Sequence, residues 1–150
     1  VGGQFNGLGF MLKTKKGKVL EAESLGIMGV PLYYRVFGPL ETEKVIKGSK
    51  TMIKKINRAG LSALNKVKMI KKIRDKNEKL SGIINISKEF AAKSGLLKLA
   101  KNKEMERLIR SIENRGGRAS MIMLGNAMYS NIWFKGGKKT MVVKNEARAL

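Results

Sequence analysis

The residues whose types and spacing could do chemistry begin at Gly116-Gly117-Arg118-Ala119-Ser120-Met121-Ile122-Met123-Leu124-Gly125-Asn126-Ala127-Met128-Tyr129. Two glycines release the backbone, a compact apolar run follows, and a Gly-Asn pair breaks that run before it resumes. A core strand does not need Gly-Asn in mid-run, whereas a buried turn that lets backbone approach something closely does. Arg115 and Arg118 flank the paired glycines and by position point toward that turn, where a guanidinium fork could clamp a phosphate or carboxylate. Arg115 has an equally good reading as a cation at a helix C-terminus. Thr42 follows Gly38-Pro39 where a strand hands over to a helix. Its hydroxyl and the free N–H groups there suit a carboxylate, or else Thr42 caps the helix with Glu41 and Glu43 serving the dipole.

What is missing narrows the chemistry further. The 150 residues contain no Cys and no His. Disulfides and thiolate metal sites are excluded, and so are the usual general base and the commonest metal ligand. Acid–base work within this chain falls to the 11 carboxylates or to a lysine. The net charge of +21 favours polyanionic partners: nucleic acid, an anionic membrane surface or phosphorylated small molecules. Lysine outnumbers arginine and aromatics are only 6%, which is thin for a base-stacking single-strand binder. Lys66, Lys68, Lys71, Lys72, Arg74, Lys76 and Lys79 form a dense basic run, relieved only by Asp75 and Glu78. It reads as a solvated helix face, or as a footprint for a phosphate backbone.

The elements that must position these residues follow from the pattern. Leu8–Lys13 and Lys18–Glu23 flank a hairpin turn at Thr14-Lys15-Lys16-Gly17, and Pro31–Phe37 is a third strand rich in aromatic and β-branched residues. Apolar residues at helical steps predict a long helix from about Glu41 to Val67, with an interruption at Gly60. A second helix runs from about Leu80 to Ser94, stopped by Gly95, with Ile83, Ile84, Phe90 and Ala91 as core. A third spans about Lys103 to Asn114 and ends at Gly116-Gly117. Strands return at Ser120–Leu124, Ala127–Phe134 and Thr140–Val143, the last two joined as a hairpin through Gly136-Gly137. Trp133 and Phe134 would mark a subunit interface if exposed and core if buried. Strands, three helices and strands again predict an α+β fold: two layers, a largely antiparallel sheet with three helices on one face. No run approaches the ~18 apolar residues of a membrane span. The chain opens on Val1, which reads as a processed or partial chain.

Several segments occur in an order that resembles a known family. They are the glycine segment, Gly38-Pro39-Leu40-Glu41-Thr42, Ile56-Asn57-Arg58-Ala59-Gly60, and Ser87-Lys88-Glu89-Phe90-Ala91 with Gly95-Leu96 after it. Together they resemble the C-terminal half of archaeal pantoate kinase, of the galactokinase, homoserine, mevalonate and phosphomevalonate kinase superfamily. Val1-Gly2-Gly3 is similar to the family's Gly-Gly strand. The likeness covers about Val1 to Tyr129; beyond Trp133 there is none.

The resemblance implies a cytoplasmic enzyme that phosphorylates pantoate with ATP and Mg²⁺, giving 4-phosphopantoate on the archaeal route to coenzyme A. It implies that residues 1–30 end the N-terminal kinase lobe and residues 31–150 form the C-terminal α+β domain. The family's phosphate loop, Pro-x-Gly-x-Gly-x-x-Ser with variations, and its acidic residue belong to the N-terminal half, and neither occurs in these residues. This chain would then carry no catalytic or metal-binding residue of its own. It would be inactive without the missing half, its main partner, with a homodimer as a further option. Ser120, Met121, Gly125 and Asn126 occupy the place of the superfamily's third motif, a turn beside the phosphate loop. Their competing reading is a strand-turn-strand of the core, with the methionines as gap fillers. Thr42, Arg115 and Arg118 become candidates for pantoate or phosphate. A basic nucleic-acid-binding or ribosome-associated domain is the alternative, and it rests on charge.

Overall fold

A computed structural model of the chain describes residues 10–15, 18–39, 50–122 and 126–142. Thr42, Gly125 and the expected start of the first helix lie outside the described residues. The elements are β1 (Phe10–Lys15), β2 (Lys18–Ser24), β3 (Pro31–Gly38), α1 (Lys50–Ile70), α2 (Lys76–Ser94), α3 (Leu96–Ala100), α4 (Lys103–Asn114), β4 (Ala119–Met121), β5 (Asn126–Ser130) and β6 (Lys138–Met141). Strands β1 and β2 pair antiparallel as far as Lys15↔Lys18, which leaves only residues 16 and 17 between them.

The four remaining strands form one antiparallel sheet in the order β4-β5-β3-β6. The class is α+β, an antiparallel sheet with helices packed against it. The expected hairpin between the last two strands does not form. β6 pairs with β3, because β4 and β3 already occupy both edges of β5. The glycines between them serve another end. Gly137 N–H donates to the Phe134 carbonyl at 2.9 Å, and a Cβ on Gly137 would lie 2.9 Å from the Phe134 ring. They wrap the crossover around a buried phenylalanine, and β5 stops at Ser130, short of Trp133 and Phe134. β6 is a fully exposed edge carrying Lys138 and Lys139, a charge pattern that discourages pairing with other chains.

β4 and β5 do not alternate between buried and exposed; every residue from Ala119 to Met121 and from Ala127 to Ser130 is buried. Such strands need cover on both faces. Cross-strand partners share a face, so Ala119, Met121, Met128 and Arg35 lie on one and Ser120, Tyr129 and Tyr34 on the other. Met105, Ile109 and Ile112 of α4 pack with Ala119, Met121 and Met128. Leu80, Ile83 and Ile84 of α2, with Leu25, Ile27 and Val30, pack with Tyr129. α2 reaches both groups, since its Phe90 and Ala91 pack in the first with Leu96 of α3 and with Met52 and Ile56 of α1. Each fully buried Ile, Leu or Met side chain contributes about 1.5–3 kcal/mol.

Helix boundaries show where local signals prevail. α2 starts at Lys76, a turn earlier than Leu80, because Asp75 caps it: its carboxylate accepts from Glu78 N–H at 2.7 Å. Gly95 ends it with φ +82. α3 is a short added turn between Gly95 and Lys101, anchored by buried Leu96. α4 matches the expected Lys103–Asn114, capped by the Asn102 side chain, which accepts from Met105 N–H at 2.9 Å. α1 runs unbroken through Gly60, which faces Phe90 of α2. Packing against α2 outweighs the roughly 1 kcal/mol that an interior glycine costs.

Candidate functional site

The third-motif segment is built around Ser120. Its position in β4 places it opposite Tyr129 of β5 and beneath α2. The Ser120 hydroxyl donates to Ser87 Oγ at 3.2 Å and lies 3.2 Å from the Met121 carbonyl. Tyr129 shares this pocket of hydroxyls. Burial pushes its phenol up to about 12, and a hydrogen bond with Ser87 works in the opposite direction. The result is three hydroxyls brought together from α2, β4 and β5, with the two strand residues buried and Ser87 half-buried. With its phenol raised, Tyr129 stays neutral through the physiological range, and the cluster orders structure.

Beside it a groove of about 270 Å³ opens between α2, α4 and β4. Ser120 and Met121 are 0% and 2% exposed, so they form its floor, with Ala91 and Ile109. Charged side chains form its rim. Lys88 of α2 and Glu113 of α4 make an ion pair that ties the two helices together. Arg110 and Glu106 pair along α4 at 3.6 Å. An apolar floor with two ion pairs at the edge can hold a small molecule that has both an apolar body and a polar end.

The remaining candidates separate in space. Asn126 begins β5, and its side-chain oxygen accepts from Asn102 Nδ2 at 2.7 Å. Because Asn102 also caps α4, the strand start and the helix start are locked to each other. Arg115 and Arg118 are not directed at the turn. They sit at the opposite, open end of the β4–β5 ladder, where Asn131 N–H bonds the Arg118 carbonyl. Arg115 Nη2 donates to the Trp133 carbonyl at 3.1 Å and its Nε to the Ser111 carbonyl at 3.4 Å, serving the helix end. Arg118 N–H donates to Asn131 Oδ1 at 2.7 Å and its Nη1 to the Gly117 carbonyl at 2.9 Å. The paired glycines reverse the chain from α4 into β4, so a residue near them in sequence faces away from the far end of the strand. Trp133 and Phe134 split: Trp133 is exposed and Phe134 is core.

Glu113 and the Asn131–Ser81 bond at 3.2 Å carry no distinguishing mark in the sequence. Ser87 and Lys88 belong to the Ser-Lys-Glu-Phe-Ala segment. Within the basic run, Lys66 bonds Glu89 and Lys76 donates to the Met28 carbonyl at 3.0 Å. Glu89 is held down at about 2 by hydrogen bonds from Lys66 and then Lys93. Among the described residues no group of three metal-ligating side chains occurs, and no helix is long and apolar enough to cross a membrane. No family model, curated protein or solved structure matches the chain.

Proposed function

We propose that this chain is the C-terminal part of an ATP-dependent kinase for a small hydroxy acid, with pantoate as substrate and coenzyme A synthesis as its setting in the cytoplasm. One observation carries the reading: segments of the resemblance that are far apart in sequence meet in space. Gly60 faces Phe90, one turn away Ser87 bonds Ser120, and Ser120 and Met121 floor the groove. Segments 56–60, 87–91 and 120–121 form one continuous line from helix to helix to sheet.

In this reading the groove is one wall of the cleft. Pantoate has a carboxylate, two hydroxyls and an apolar dimethyl centre, and the groove offers Ala91, Ile109 and Met121 with Lys88 and Arg110 at the rim. Lys88 and Arg110 would exchange their partners Glu113 and Glu106 for the substrate carboxylate, and the Ser87–Ser120 bond ties β4 to α2. ATP supplies the phosphoryl group. The phosphate loop and the metal ligands come from outside the described residues. The experiment is a substrate panel on the full gene product that contains this chain, with ATP, Mg²⁺ and a set of hydroxy acids and polyols. Pantoate-dependent ADP release is expected; preference for another hydroxy acid or polyol would move the assignment to a neighbouring kinase, and no turnover with any of them would remove it.

A further inference from the structure

We propose that the outward face of α1 docks the phosphate backbone of duplex nucleic acid, independently of the groove. From Lys50 to Arg74 the sequence contains no Asp or Glu. Lys54, Arg58, Leu61, Asn65, Lys68 and Lys72 recur at alternating steps of four and three, which aligns them along one side of the helix and the turn after it. All six are exposed, and no described carboxylate pairs with the four cations among them. The opposite side of α1 is already committed to α2, where Lys66 meets Glu89. Among the described residues the carboxylates that form ion pairs, Glu89, Glu104, Glu106 and Glu113, lie on α2 and α4 and not on this face.

The geometry fits a duplex. Lys54 to Lys68 spans about 21 Å at ~1.5 Å per residue, a length of duplex axis over which one strand carries roughly six phosphates at ~3.4 Å of rise each. α1 carries no aromatic residue on which unpaired bases could stack, so a single strand has no platform. A lipid surface fits less well. Ile53, Leu61 and Met69 are exposed on the same helix, but steps of eight residues turn each about 80° from the last. They are spread around the helix and offer no single apolar strip to insert.

The test measures binding of the chain to a mixed-sequence duplex DNA of about twenty base pairs across a salt series. Two fourfold variants are compared: Lys54→Gln with Arg58→Gln, Lys68→Gln and Lys72→Gln, against a control of equal charge loss at Lys98, Lys103, Lys138 and Lys139. Circular dichroism checks that helix content is kept, and single variants Lys54→Gln and Lys68→Gln give the same information if the fourfold variant unfolds. The stripe variant should lower the steepness of log K against log salt by about three to four, each single variant by about one, and the control far less. Equal losses in both fourfold variants would mean net charge alone and overturn the proposal. So would no binding at about 50 mM salt, or binding to phosphatidylserine vesicles without binding to the duplex.

Discussion

Replacing Tyr129 with Phe should produce a stability difference that changes sign with pH. The Tyr129 phenol is buried at 8% exposure and titrates near 12 where an exposed phenol titrates at 10.0. Below pH 10 the group is protonated in both folded and unfolded chains, and its contribution is fully present. Above pH 10 the unfolded chain ionises first, so the folded state loses about 1.4 kcal/mol per pH unit until the folded phenol ionises too, about 2.7 kcal/mol across the two-unit shift. Near neutrality, Tyr129→Phe should cost about 0.5–1.5 kcal/mol, the ordinary net value of a lost hydrogen bond to the hydroxyl cluster. At about pH 11.5 the natural protein will have lost about 2 kcal/mol that the variant cannot lose, so the variant should be the more stable of the two. All other groups are common to both proteins and cancel in the difference. Urea unfolding of both at about pH 8 and about pH 11.5 measures it. A difference that stays constant across this range would refute the reasoning, because it would mean that the phenol ionises equally easily in both states.

Three further predictions rest on separate parts of the fold. Gly117→Ala should destabilise by about 1–3 kcal/mol in thermal unfolding, since its Cβ would lie 2.5 Å from the Ile132 side chain and 2.8 Å from Ile112; a neutral result would contradict the packing at the open end of the β4–β5 ladder. Phe134→Ala should cost about 3–5 kcal/mol while Trp133→Ala, at 58% exposure, stays within about 0.5 kcal/mol, and comparable costs would show that the crossover is misassigned. Glu89 is held at about 2, below its ordinary 4.5, so its support is present above pH 4.5 and lost as pH falls toward 2. Acid titrations should therefore show the natural protein losing more stability than Glu89→Gln over that window, and superimposed curves would sink the idea.

The elements that sequence reveals well are those whose signals are local. The helix from Lys103 to Asn114 has a capping Asn102 before it and paired glycines after it, and the structure keeps both ends. Pro31 to Gly38 is legible for its run of β-branched and aromatic residues. Pairing partners are not local, which is why the glycines at 136 and 137 read as a hairpin although β6 belongs beside β3. The early start of α2 is not legible because Asp75 and Glu78 sit inside a run of lysines that has no apolar period to mark a first turn. At the candidate site, Ser120 and Met121 were legible as part of a broken apolar run. Their burial as a floor, and the Lys88–Glu113 rim above them, depend on how α2 and α4 meet over β4. Arg115 and Arg118 show the limit of reading by proximity, since the chain reversal at Gly116 and Gly117 sends them to the wrong end of the strand pair. That reversal needs a left-handed residue at Gly116, φ +81, which sequence suggested without giving its direction.

Phosphorus NMR of the full gene product containing this chain, incubated with ATP, Mg²⁺ and pantoate, tests the central proposal most directly. A new phosphomonoester resonance on pantoate, appearing together with ADP and only when pantoate is present, is the expected result. A folded protein that leaves pantoate unmodified while ATP and Mg²⁺ are in excess would contradict it.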